Sequence, residues 1–275
     1  MLRWTACLVT MAAAFSAVAM AQPTVTLSLD SAQAGQIVPP QSTINWDIIF
    51  SVSAADNQGL ALLVCDLVQN PANPAFIDLP PADGVPAPMT NFSRPDGISN
   101  PGESDPVTGY IGVQRGVAGA MNLVQAGGAQ NTFGEAQPPG TGIAENAVVV
   151  GGVGQSGSET LASGSFAATT VAGTYTLELA DSMANVLSEL HDPPQFSPVV
   201  AASVDASGGS FSFTVTLYGD VNLDCEVALD DLAQLLANYG QTTGATWADG
   251  DLDGDGDVEL DDLATLLALY GQTCP

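Results

Sequence analysis

The feature that most constrains this chain is a duplication near its C-terminus. Gly219-Asp220-Val221-Asn222-Leu223-Asp224-Cys225-Glu226-Val227-Ala228-Leu229-Asp230-Asp231-Leu232 returns as Gly250-Asp251-Leu252-Asp253-Gly254-Asp255-Gly256-Asp257-Val258-Glu259-Leu260-Asp261-Asp262-Leu263, at an offset of 31 residues from Asp220 to Asp251. A repeat of fixed period is one supersecondary unit used twice, and it defines the local architecture. Calcium is a hard cation that takes about six to eight oxygens, and a twelve-residue loop supplies them from its first, third, fifth, seventh, ninth and twelfth positions. In the second copy these are Asp251, Asp253, Asp255, Asp257 through its backbone carbonyl, Glu259 through a water, and Asp262. Gly256 falls at the sixth position, where the chain must turn with positive φ. The first copy offers Asp220, Asn222, Asp224, Glu226 through its carbonyl, Ala228 through its carbonyl or a water, and Asp231. Its sixth position is Cys225, where a Cβ at positive φ costs about 1 kcal/mol or more. Two Ca²⁺ sites are expected, with residues 251–262 the better formed. A solvated acidic turn without metal is the alternative for each.

Each loop runs into a helix. Leu232, Leu235, Leu236 and Tyr239 follow the first loop, and Leu263, Leu266, Leu267 and Tyr270 follow the second, at helical spacing. Asp230-Asp231 and Asp261-Asp262 sit at the positive helix ends, and Gly240 and Gly271 supply the stops. Neither helix is long enough to stand alone. Two facing helices, with Trp247 from the connector, can bury one small shared core, and Val227 can pair with Val258.

This duplicated Asp-x-(Asn/Asp)-x-Asp…Asp-Asp-Leu pattern resembles a type I dockerin, in which each of two repeats is a calcium loop followed by one helix. The resemblance implies calcium-dependent folding and docking onto a cohesin domain. It departs from the family where cellulosomal dockerins read their partner. Leu229-Asp230 and Leu260-Asp261 replace small hydroxyl residues at the tenth and eleventh loop positions, and the module holds no Lys or Arg. Calcium binding carries over better than a cellulosome-type partner does. The helix pair then docks either on a cohesin-like domain or on the protein's own preceding domain.

The chain starts Met1-Leu2-Arg3, continues with an apolar run to Val18, and reaches Ala19-Met20-Ala21 before Gln22. That is the pattern of a secretory signal peptide cleaved after Ala21, too short for a membrane span. An exported protein is expected, secreted or held at the cell surface. Lys+Arg number 3 against 30 Asp+Glu, a formal net charge of −27. With Arg3 in the leader, only Arg94 and Arg115 remain, so the chain repels nucleic acid and anionic membranes. Cys7 also leaves, which leaves Cys65, Cys225 and Cys274. Cys225 and Cys274 bracket the duplicated module, whose ends tend to lie close together, and export permits oxidation. A Cys225–Cys274 disulfide is expected. Cys65 reads as a small buried core residue.

Residues 22–217 carry recurrent β patterns: 24–29, 44–52, 60–68, 147–150, 174–179, 199–204 and 210–217, separated by Gly, Pro, Asn and Ser. An antiparallel β-sandwich is expected, followed with no flexible linker by the small helical module of residues 218–275, its repeats spanning 219–240 and 250–271. Residues 80–173 read as long Gly/Pro-rich loops. Gly173-Thr-Tyr-Thr-Leu-Glu-Leu179, Ala184-Asn-Val-Leu187 and Gly209-Ser-Phe-Ser-Phe-Thr-Val215 resemble cohesin-like and carbohydrate-module-like sandwiches. Gly152-Val-Gly154-Gln-Ser-Gly157 matches a nucleotide-loop pattern but lacks room for the helix that must follow. His191 has no Gly-x-Ser-x-Gly serine to serve. The functional reading is a calcium-binding, non-catalytic assembly protein. The alternatives are a polysaccharide-degrading enzyme, using two of Asp83, Asp96, Glu103, Asp105, Glu135 and Glu145, and a cell-surface or matrix component. A polysaccharide ligand of the sandwich stays open.

Overall fold

The computed structural model describes residues 22–54, 56–80, 82–83, 86–93, 113–117, 120–138 and 148–275. The expected leader lies outside them, as do Arg94, Asp96, Glu103, Asp105 and Glu145. The first strands are β1 (Thr24–Asp30), β2 (Ile37–Val38), β3 (Thr43–Val52) and β4 (Leu60–Gln69). Then come β5 (Phe92–Ser93), β6 (Val113–Val117), β7 (Ala120–Gln130), β8 (Glu159–Ala167), β9 (Gly173–Leu187), β10 (Val199–Gly208) and β11 (Ser210–Val215). Two helices follow, α1 (Leu229–Asn238) and α2 (Leu260–Leu269). No helix among the described residues is long and apolar enough to cross a membrane.

Period-two burial explains why these segments are strands. Val25, Leu27 and Leu29 of β1 point inward, as do Ile44, Trp46, Ile48, Phe50 and Val52 of β3, and Phe211, Phe213 and Val215 of β11. β4 lies between β7 and β9, is covered on both sides, and reads from Leu60 to Val68 as an apolar run interrupted by the buried Asp66. The ladder runs β5-β7-β4-β9-β10-β1-β3-β8, with β11 and β2 beside β9 and with β6 beside β7. It folds over into two layers. β10 pairs with β9 over Val199–Ala202 and with β1 from Ser203 onward, so one strand belongs to both layers. Phe166 of β8 meets Phe213 of β11 across the layers, ring centroids 6.0 Å apart, and Tyr175 stacks on Phe213 at 5.6 Å. All of these residues belong to one core.

The sandwich is not wholly antiparallel. β1 pairs with β10 in parallel, and β2 pairs with β11 in parallel. Because β10 crosses from one layer to the other, its second half arrives beside β1 running the same way. The expectation of long loops over 80–173 is also corrected, since β5 to β8 lie there. β7 and β8 are hard to read because glycines in them make room for a distant side chain in one case and for a neighbouring strand's backbone in the other. A Cβ on Gly164 would lie 2.5 Å from Trp46 Cζ2, and one on Gly127 would lie 2.1 Å from the Leu63 carbonyl oxygen. The strand expected at 147–150 does not form over Val148–Val150. There the side chain of Gln130 takes the place of a neighbouring strand: Val150 N donates to Gln130 Oε1 at 2.7 Å, and Gln130 Nε2 donates to Val150 O at 3.0 Å.

Gly152, Gly154 and Gly157 all adopt positive φ in a turn that leads into β8, not into a helix. Cys65 is buried, and burial together with the Asp66 charge pushes its thiol up to about 12. His191 contacts Glu189 at 3.0 Å in an exposed turn. Trp46 is the largest fully buried side chain, so Gly164→Ala is expected to overpack its site and destabilise the sandwich by about 1–3 kcal/mol. Urea unfolding should show a lower midpoint at unchanged slope.

Candidate metal centre

The two repeats fold alike because each closing aspartate ties its loop to its helix. Asp231 Oδ1 accepts from Val221 N at 2.7 Å and Asn222 N at 3.1 Å, while its Oδ2 accepts from Ala228 N at 2.8 Å. Asp262 repeats this, with Leu252 N at 2.7 Å and Glu259 N at 2.8 Å. One carboxylate thus caps the helix and holds the start of the loop. The leading aspartates mirror each other as well. Asp220 Oδ2 accepts from Cys225 N at 2.8 Å, and Asp251 Oδ2 accepts from Gly256 N at 2.9 Å. Asp220, Asp231, Asp251 and Asp262 are all buried.

The turn inside each loop needs positive φ twice. Leu223 (φ 62) and Cys225 (φ 69) match Gly254 (φ 81) and Gly256 (φ 93). The strain expected at Cys225 is therefore present, and Leu223 adds a second position that the sequence reading did not anticipate. Cys225 is bonded to Cys274, with Cα atoms 5.1 Å apart, as expected from their bracketing positions.

The repeats also exchange contacts. A Cβ on Gly219 would lie 3.1 Å from Leu266 Cα of α2, and one on Gly250 would lie 2.9 Å from Leu235 Cα of α1. Val227 does not pair with Val258 through the backbone. Val227 N donates to Gln272 O at 2.9 Å and Val258 N donates to Gln241 O at 2.9 Å, so each loop pairs with the exit of the other repeat's helix. Both valines still enter one small core with Val221, Leu235, Leu252 and Leu266. The helix stripe is only half used. Leu235 and Leu266 are buried, whereas Leu236, Tyr239, Leu267 and Tyr270 are about half exposed.

The two loops differ in how well their oxygens suit a hard dication. In loop two, carboxylate oxygens of Asp251, Asp253 and Asp255 lie within 4.8 Å of one another, and so do those of Asp255, Asp257 and Glu259. Asp257 Oδ1 is buried with no hydrogen-bond partner, so its carboxylate, not only its carbonyl, turns toward the group. Desolvation and the neighbouring charge of Asp255 hold Asp257 above the usual carboxylate range. Desolvation, with Asp255, Asp262 and Asp251, does the same to Asp253, and the Asp257 charge raises Glu259. An all-oxygen cluster whose members repel one another fits calcium.

Loop one is different. Asn222 Nδ2 donates to Asp224 Oδ2 at 3.0 Å and to Asp230 Oδ2 at 2.9 Å, while Asn222 Oδ1 accepts from Asp224 N at 3.0 Å. Asp224 Oδ1 accepts from Glu226 N at 2.9 Å, and Glu226 is exposed. No carboxylate trio of comparable closeness occurs there among the described residues. Burial raises Asp220, which also accepts a hydrogen bond from the Thr216 hydroxyl just after β11.

Thr216 was not assigned a role by sequence, whereas Trp247 packs against the small shared core as expected and also makes a hydrogen bond that was not foreseen. Trp247 Nε1 donates to Asp220 O at 2.8 Å, which ties the connector of one repeat to the loop of the other. The module rests on the sandwich through its disulfide side. Thr216 Oγ1 lies 3.6 Å from Cys274 Sγ, and Gln41 Nε2 donates to Tyr218 OH at 2.9 Å. The exposed helix stripes are not part of those contacts. Of the described candidate catalytic carboxylates, Asp83 faces Asp47 in a group with Asp30, and Glu135 lies in the turn after β7.

No known protein-family profile matches the sequence, and no curated protein does. Solved structures similar to this chain include the seventh ScaB type I cohesin from Pseudobacteroides cellulosolvens. That match has 11% identity and a TM-score of 0.39, covering 71% of this chain and 93% of that one. A non-cellulosomal cohesin from the archaeon Archaeoglobus fulgidus has 14% identity and a TM-score of 0.32, covering 71% and 92%. A cohesin module of a family 33 glycoside hydrolase from Clostridium perfringens has 8% identity and a TM-score of 0.30, covering 65% and 96%.

The raised carboxylates fix a sign. Asp253, Asp257 and Glu259 hold protons more tightly folded than unfolded. With a chelator present, stability should fall as pH rises from the ordinary carboxylate range through their raised values. Calcium should reverse the trend, because ligation needs the ionised form. Thermal unfolding of the full chain across mildly acidic to neutral pH, with Ca²⁺ and with EGTA, measures both. Gly250→Ala, at φ 104 against Leu235, is expected to cost about 1–3 kcal/mol. Gly240→Ala, with open space around it, should cost less on the same helix melting curve.

Proposed function

We propose that this is an exported, non-catalytic assembly protein whose C-terminal module folds on calcium and docks onto another protein. The supporting observation is a pair of matching apolar surfaces. Leu229, Leu236 and Tyr239 on one repeat and Leu260, Leu267 and Tyr270 on the other are 47–68% exposed. Each pair stands at the same offset of the duplication. Six large apolar side chains held outward by a small acidic module are the composition of a docking face.

Calcium acts through charge. The module holds no Lys or Arg, so its clustered carboxylates have no internal counter-ion. Binding the ion brings them together, and its binding free energy becomes folding free energy. Asp251, Asp253, Asp255, Asp257, Glu259 and Asp262 would hold it in loop two. Asp220, Asn222, Asp224, Glu226 and Asp231 would provide the weaker, more internally bonded site.

The partner's chemistry follows from the rim. Asp230 and Asp261 flank the two stripes, so the matching surface is apolar at its centre and basic at its edge. A second copy of this chain cannot supply that edge, with Arg94 and Arg115 its only cations after the leader. Its own sandwich already meets the module on the disulfide side. A separate cohesin-like domain with a basic rim is the partner this reading names.

The test is surface binding of the full chain to a panel of cohesin-like domains, with Ca²⁺ and with EGTA. Binding should need calcium. Leu236→Asp or Leu267→Asp alone should weaken it about twofold to tenfold, because one equivalent face remains, and the double substitution should abolish it. Calcium-independent binding, or a double variant that binds normally, contradicts the reading.

A further inference from the structure

A cleft of about 590 Å³ lies between the sandwich and the paired loops. The turn between β2 and β3 forms one wall, with Pro40 buried and Gln41 exposed. Tyr218, Trp247, the start of loop two and Thr265 of α2 form the other. The Tyr218 and Trp247 rings make an aromatic corner, with centroids 5.9 Å apart and planes at 54°. Both rings are anchored by their polar edges, Tyr218 OH to Gln41 at 2.9 Å and Trp247 Nε1 to Asp220 O at 2.8 Å. Those bonds fix the ring planes without using the ring faces.

The chemistry of the walls selects a ligand class. No Lys, Arg or His lines the cleft, and Asp251 and Asp253 do, so phosphates and carboxylates are repelled. What the walls offer is aromatic and proline surface beside an amide, hydroxyls and two carboxylates. That combination suits a neutral ring with an apolar C–H face and a polar hydroxyl edge. We propose that this cleft binds a sugar unit of a neutral oligosaccharide, with its C–H face on the Tyr218–Trp247 corner and its hydroxyls toward Gln41 and Thr265. The site is separate from the exposed helix stripes, so docking and sugar binding can each fail alone. Loop two forms part of the wall, so calcium that orders the loop also sharpens the site.

Cello-, xylo- and manno-oligosaccharides would be titrated into the full mature chain in Ca²⁺, followed by calorimetry and tryptophan emission. Trp46 is 1% exposed and Trp4 lies in the expected leader, so a shift in emission reports on Trp247. Saturable binding of at least one sugar is expected, with an emission shift. Thr265→Val, which keeps the shape and removes the hydroxyl, should weaken it about tenfold, near the worth of one hydrogen bond. Tyr218→Ala should abolish it while calcium-dependent helix content persists. Absence of binding to all three sugars overturns the proposal. So does binding that Thr265→Val and Tyr218→Ala leave unchanged, or capture of a lysine-rich peptide with no sugar bound.

Discussion

Two buried carboxylates, Asp231 and Asp262, hold the small module together, because each closes a loop and caps a helix at once. Every hydrogen bond they make comes from a backbone N–H of their own repeat. They carry negative charge into a unit that already concentrates acidic side chains and contains no cation. The backbone donors stabilise the charge locally but do not remove the repulsion among Asp251, Asp253, Asp255 and Asp257. A divalent ion would meet that need with oxygens already close together. The proposed metal-linked folding would then follow from the charge distribution as well as from the spacing.

The exchange of contacts makes the two repeats one unit. Gly219 packs on Leu266, Gly250 packs on Leu235, and each central valine pairs with the other repeat's helix exit. With its core spent on this exchange, the module has nothing left to cover Leu236, Tyr239, Leu267 and Tyr270. The same duplication that makes the unit fold leaves its apolar stripes outward in two equivalent copies. Thr216, Tyr218 and the Cys225–Cys274 bond then seat the unit against the sandwich on a different side. The seam between the two parts becomes an aromatic-walled cleft, so the geometry that orients the proposed docking faces also forms a second candidate site.

Where side chains were large and alternated, the strands could be read directly. β1, β3, β4, β9 and β11 each carry an apolar period or run, and each falls where the pattern put it to within a few residues, although β9 runs well past its readable core. β7 and β8 escaped because their glycines answer to distant neighbours, the Trp46 ring beside Gly164 and the β4 backbone beside Gly127. Gly164 is explained only by Trp46, and Gly127 only by Leu63, and those partners lie far away in sequence. Parallel pairing of β1 with β10 was illegible for a related reason: nothing within β10 shows that it leaves one layer for the other midway.

By itself the sequence determined the duplication, the spacing of the loop carboxylates, the cysteine pairing and the acidic, cation-poor character of the chain. Those are local or periodic properties, set by residue type and interval. Only the tertiary structure decided which apolar helix residues are buried, which loop gathers its carboxylates closely, and where the module meets the sandwich. Each of those depends on which distant surfaces come into contact, and a side chain's exposure or a carboxylate's repulsion has no value until its neighbours are in place.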